Sequence, residues 1–184
     1  VKTSHPTLPR DLSLLSLERA YAVFSPCERY RYQLWWPTGI ERGGIALGIF
    51  ANPSTATAEQ TDPTVRRWIG YCRDWGYSWA GVCNVRAWRE TDPRKVPPDP
   101  EAIGADNDDH IIDCVREAAL VVCGWGKLGG ARGPHILQLI RNAGAVPSAL
   151  KLNKDGSPCH PLYLAANLKP VPMARAAARD GGAE

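Results

Sequence analysis

The chain has 184 residues, with 22 Lys plus Arg against 19 Asp plus Glu, a net charge of +3 and an apolar fraction of 44%. These values describe a globular domain and exclude a disordered chain. At this length folding removes roughly 70% of the unfolded surface from water, so the core needs no disulfide or metal to complete it. Residues 1–10 carry Lys2, His5 and two prolines but no apolar stretch, which argues against a secretory signal. No apolar run reaches the ~20 residues of a membrane span. A soluble, cytoplasmic, monomeric protein without membrane contact is expected.

In chain order, Asp11 to Tyr21 spaces Leu12, Leu15 and Leu17 as a short helix, and Tyr30 to Trp36 alternates as an edge strand. Gly44 to Ala51 is continuously apolar, as suits a strand buried on both faces. Asp62-Pro63 starts a helix, with Asp62 as N-cap and Pro63 in the first turn; Val65, Trp68, Ile69 and Cys72 form its apolar stripe. Trp79 to Val85 is a second buried strand, and Arg86 to Pro100 a polar, proline-rich loop. Asp106 to Ala118 is a second helix and Ala119 to Cys123 a third strand. Pro134 opens a third helix, and Ala149 to Leu152 forms a fourth strand. This alternation predicts a three-layer α/β/α domain over residues 1–172 with a short, mostly parallel central sheet. Residues 173–184 are expected to be a flexible tail.

Sheets of this kind bind ligands beyond the carboxyl ends of their strands. After the first buried strand come Asn52-Pro53-Ser54-Thr55, and after the second Asn84, Arg86 and Arg89. An Asn offers a donor and an acceptor together, the equipment for reading the edge of a nucleobase; turn formation is the competing explanation at both places. Near the end stands Gly156-Ser157-Pro158-Cys159-His160-Pro161-Leu162-Tyr163, where flanking prolines restrict the backbone of His160. His5, His110 and His135 look ordinary by comparison. Trp88 and Trp125 follow strand ends and could stack on a base. Residues 62–95 hold seven bases and four acids, 99–117 seven acids and one Arg, and 127–155 five bases and one acid. Two basic blocks thus flank an acidic one, and converging bases would suit a phosphate-bearing partner.

The six cysteines include no Cys-x-x-Cys pair, which argues against a zinc or iron–sulfur site and for free, mostly buried thiols. No cofactor is expected. Dinucleotide, Walker A, nucleophile-elbow and zinc-protease motifs are also lacking.

The sequence resembles the bacterial and phage family called domain of unknown function 1643 over roughly residues 21–164. The resemblance lies in Arg29-Tyr30-Arg31-Tyr32, Asn52-Pro53-Ser54-Thr55-Ala56, Asp62-Pro63-Thr64-Val65-Arg66-Arg67, Asn84-Val85-Arg86-Ala87-Trp88-Arg89-Glu90-Thr91-Asp92-Pro93, Gly104 to Asp108, Cys123-Gly124-Trp125-Gly126, and Lys154-Asp155-Gly156 to Tyr163. Val85-Arg86 stands where Leu-Phe is common, and Cys159 where Arg usually precedes the His.

More distantly, it resembles uracil-DNA glycosylases, the mismatch-specific type in particular, through Gly48 to Ser54, Asn84 and His160-Pro161. That resemblance implies that Asn52 positions a water, Asn84 reads the base and His160 stabilises the departing base. Ser54, Trp88, Trp125 and Tyr163 would complete the base pocket, and Asp62, Arg66, Arg86, Arg89 and Asp92 would contact phosphate or support the site. The expected function is nucleobase recognition, in DNA ahead of RNA, with hydrolysis of the N-glycosidic bond of a damaged or modified base. The alternatives are a non-catalytic nucleic-acid or nucleotide-binding module, or an enzyme acting on a free nucleotide.

Overall fold

The computed structural model describes residues 19–173. Strands β1 (Tyr21–Phe24), β2 (Arg31–Pro37), β3 (Ile45–Phe50), β4 (Trp79–Asn84), β5 (Leu120–Cys123), β6 (Pro147–Ala149) and β7 (Val171–Pro172) form one sheet in the order β1-β2-β4-β3-β5-β6-β7. Helices α1 (Pro63–Asp74), α2 (Asn107–Glu117) and α3 (Arg132–Asn142) connect the central strands. The four strands β4, β3, β5 and β6 are parallel, whereas β1 and β2 on one side and β7 on the other add antiparallel pairs. The sheet is therefore mixed and seven-stranded, not short and mostly parallel.

Two apolar cores lie on its two faces. On one, Val65, Trp68, Tyr71 and Cys72 of α1 meet Ala46, Phe50, Ala80, Val82 and Val122. On the other, Ile111, Cys114 and Val115 of α2 and Ile136 and Ile140 of α3 meet Ile45, Leu47, Ile49, Val121 and Cys123. Alternate residues of β3 thus feed opposite cores, which is why its sequence is apolar throughout. No helix among the described residues is long and apolar enough to cross a membrane.

The expected helix from Asp11 to Tyr21 lies mostly outside the described residues; Tyr21 itself begins β1. The expected edge strand is an interior one, because β1 and β4 pair with β2 on either side. The fourth strand starts two residues earlier than expected, at Pro147, and ends at Ala149. The tail beyond Met173, like His5, falls outside the described residues.

Candidate functional site at the carboxyl edge of the sheet

The parallel strands end side by side, with Phe50 opposite Asn84 and Ile49 opposite Cys123. Since α1 follows β3 on one face and α3 follows β5 on the other, the loops after these adjacent strands diverge. A crevice opens between them, the place where such sheets bind ligands.

The chain returns to this crevice through residues 157–164. Gly126 N–H donates to Pro158 O at 2.8 Å. A Cβ on Gly124 would lie 2.9 Å from Pro161 Cδ and 3.1 Å from the Phe50 ring, so only glycine admits this approach. His160 is held here, half-buried, its ring 5.8 Å from that of Phe50. Its Nδ1 accepts Leu162 N–H at 3.4 Å, which leaves the neutral ring's proton on Nε2. Burial lowers the pKa of His160 below the ordinary histidine value, with Asp62 opposing, so the imidazole is neutral at pH 7. Tyr163 lies beside it with its side chain in solvent, 83% exposed.

The loops after β3 and β4 are zipped together: Val85 N–H donates to Phe50 O, Arg86 N–H to Ala51 O and Glu90 N–H to Pro53 O. Asn52 Nδ2 donates to Glu90 O at 2.7 Å and to Pro53 O at 3.2 Å. No described residue donates to its Oδ1, which is the acceptor left for a water or ligand. Asn52, Arg86 and Lys127 line a cleft of about 350 Å³. A second cleft on the same edge, of about 360 Å³, is lined by Ser54, Thr55, Arg29, Trp88 and Arg89. Ser54 Oγ lies 3.5 Å from Thr91 Oγ1, and Trp88 packs edge-on against Tyr30 under the Arg29 guanidinium.

Asn84 is 2% exposed and its Oδ1 accepts from Arg31 Nη2 at 3.1 Å; Arg31 Nη1 donates to Ala56 O at 2.8 Å. Burial brings Arg31 down to about 10, against the pull of Asp62, and it stays a cation. Behind it, Asn107 Nδ2 donates to the Asn84 carbonyl and Arg132 Nε to that of Val85. Arg132 is in turn paired with Asp108, which also contacts His135 Nε2 at 2.8 Å.

Asn52, Asn84 and His160 therefore all stand at the carboxyl ends of parallel strands, yet not as three open side chains. Asn84 is sealed behind Arg31. Trp125 is 3% exposed and belongs to the core, so it does not offer a ring to a base; Gly129 packs against it with no room for a Cβ, and Gly133 also packs tightly on it. Asp62 caps α1, accepting Val65 N–H at 2.8 Å. Arg86 makes a two-pronged pair with Asp99 and also donates to Leu128 O. Arg89 donates to Glu28 O and covers the Phe24 ring. Asp92 pairs with Arg94, and Arg66 is on the exposed side of α1, bonded to Thr61.

Sequence reasoning missed the polar groups that brace this edge: Arg31, Asn107, Arg132 and Asp108. The one readable signal was a charged residue, Arg31, inside a strand pattern. Among the described residues no group of three His, Cys, Asp or Glu side chains could hold a metal ion. Cys72, Cys83, Cys114 and Cys123 are buried free thiols, as expected.

Residues 29–162 match the model of a family described as "Protein of unknown function (DUF1643)". No curated protein matches, and no solved structure does. The likeness to uracil-DNA glycosylases therefore gains no support from comparison and rests on the three short motifs alone.

Proposed function

Since this chain belongs to the DUF1643 family, a family of unknown function, its chemistry has to be read from its own residues, and we propose that it binds a nucleobase-containing ligand across the carboxyl edge of the sheet and hydrolyses its N-glycosidic bond. The observation that carries this reading is His160, half-buried beside Phe50 at the crevice between the β3 and β5 loops, with Nδ1 accepting Leu162 N–H and Nε2 left to donate. Its Nε2–H is a donor that does not compete with the substrate for charge.

In the reaction the bond from C1′ to the base nitrogen breaks and its electron pair leaves with the base, while C1′ becomes cationic. His160 Nε2–H donates to the base oxygen on which that charge collects. A water held by Asn52 Oδ1 adds to C1′ and then loses its proton to solvent. Because the sugar is already cationic, a weak nucleophile suffices, and the side chain need only orient it. Asp62 and Asp92 are engaged in a helix cap and an ion pair, so neither serves as a general base.

A preorganised donor aimed at developing charge contributes ~3 kcal/mol, about a hundredfold in rate. Replacing His160 by Ala should lower base release from an oligonucleotide carrying the substrate base by that factor and leave affinity nearly unchanged. A wild-type protein that binds a broad panel of modified oligonucleotides and releases no base would overturn the reaction. The commitment of both nearby carboxylates would then favour a nucleotide-binding module without chemistry.

A further inference from the structure

A further groove lies away from the two clefts just described, between α1 and the segment after His160. It measures about 550 Å³ and is lined by Arg66, Arg67, Gly70 and Arg73 of α1, with Leu162 and Ala166 opposite. Arg66, Gly70 and Arg73 are spaced by four and three and so share one face, with Arg67 beside them.

The far wall is held in place by a ladder of donors from α1. Arg67 Nη2 donates to Leu164 O, Tyr71 Oη to Ala165 O at 2.7 Å and Trp75 Nε1 to Leu168 O at 3.2 Å. The donors nearest solvent remain unspent. Arg73 has no side-chain partner among the described residues, and Arg66 uses only Nη1, on Thr61. One carboxylate, Asp74, also lines the groove.

Gly70 is the informative residue. It sits in mid-helix, where glycine costs about 1 kcal/mol relative to alanine, yet a Cβ there would meet nothing within 4 Å. Packing therefore does not require it. A side chain at 70 would instead rise between the arginines and obstruct the groove floor. Next in the chain to Leu162 of the groove wall stands Tyr163, the most exposed of the large apolar side chains among the described residues, adjoining His160.

We propose that this groove receives the sugar–phosphate backbone of a single-stranded polynucleotide. Arg66 and Arg73 contact successive phosphates while Arg67 holds the wall, the bare backbone at Gly70 allows the strand to approach, and Tyr163 stacks on an unpaired base beside His160. A duplex covers both faces of its bases, so an exposed aromatic at the rim selects the unpaired strand. The inference deepens the nucleobase reading by naming a polymer rather than a free nucleotide as the ligand.

The test is anisotropy of labelled oligothymidylate on the full chain over a range of salt. Two phosphate contacts predict a log–log slope of about −1.4, since each contact on a single strand contributes about −0.7. Arg73→Ala should make the slope shallower by about 0.7. Gly70→Glu, which favours the helix but blocks the groove, should weaken binding at least tenfold, whereas Gly70→Ala should leave the fold intact and weaken it less. Tyr163→Ala should weaken oligothymidylate but not an abasic strand of the same length.

The proposal is overturned if Arg66→Ala and Arg73→Ala together leave the slope unchanged, if oligoglutamate competes as well as oligothymidylate, or if duplex binds more tightly than single strand. Base release unaffected by the α1 variants would also end it while sparing the proposed reaction. Normal strand binding without base release would do the reverse.

Discussion

At the scale of single residues, environment divides groups of one type into different chemical roles. Cys27 is exposed, and the Ser25 hydroxyl 3.3 Å from its Sγ, followed by Arg29, brings its pKa down to about 7. Burial raises the thiols of Cys72, Cys114 and Cys123 instead. Alkylation of the native protein should accordingly label Cys27 first, with a rate midpoint near pH 7, and Ser25→Ala should move that midpoint upward. Mass mapping after a short pulse of iodoacetamide decides it; a midpoint in the ordinary thiol range would count against the Ser25 contact. His160 shows the opposite trend, a base whose protonated form is disfavoured by burial. Its folded pKa lies below the unfolded value, so between the two the unfolded chain holds more protons. The stability it confers is complete above the ordinary histidine range near 6.5 and is lost as pH falls through the folded value. A ring-proton NMR titration should place its midpoint below that range, and the same acid window should shrink in the urea midpoints of His160→Gln.

At the scale of elements, α1 depends on a cap that is also part of the carboxyl edge. Asp62 accepts Val65 N–H, and Asp62→Ala should cost about 1 kcal/mol while Asp62→Asn costs little. In β4, a Cβ on Gly81 would fall 2.5 Å from Trp35 Cζ3, so Gly81→Ala should destabilise by roughly 1–3 kcal/mol through overpacking. Denaturant midpoints test both. These are elements the sequence made legible: β3, β4 and β5 are apolar runs between turn residues, and Asp62-Pro63 marks a helix start by local chemistry. The antiparallel flank was not legible. Four half-buried residues, Tyr21–Phe24, carry too little pattern to declare β1, and without β1 the strand beside it reads as an edge. The site divides similarly. Asn52, Asn84 and His160 could be found because each follows a strand or sits between prolines. Arg31 could not be tied to its partners, since they lie 25 and 53 residues away and only the fold unites them. The burial of Trp125 was hidden for the same reason: the loop and helix residues that cover it, Gly129 and Gly133, say nothing locally about an indole.

At the scale of the whole molecule, the charge pattern acquires a direction. On one face α1 carries Arg66, Arg67 and Arg73 with a single acid, Asp74; on the other α2 carries Asp108, Asp109, Asp113 and Glu117 with a single base, Arg116. The proposed polynucleotide would accordingly be drawn to α1 rather than to α2, although the net charge is only +3. The two faces are not independent in folding, because the central strands are common to both. Ile45, Leu47 and Ile49 of β3 belong to the α2/α3 core and Ala46 and Phe50 to the α1 core; Trp79 and Cys83 of β4 are divided from Ala80 and Val82 in the same way. Neither core can lose its packing without exposing the back of the other. Unfolding should thus be one cooperative transition. Ile140→Ala on the α3 side and Val65→Ala on the α1 side should each lower the stability of the whole, the former by about 2–5 kcal/mol as an isoleucine truncated in a core. The measurement is urea unfolding of each variant followed by far-UV circular dichroism and by tryptophan fluorescence, with Trp68 on one face and Trp35 and Trp125 on the other. Coincident midpoints that shift together are expected; a variant in which fluorescence and ellipticity separate would mean that one layer can melt while the other stands, and that the shared strands do not couple them.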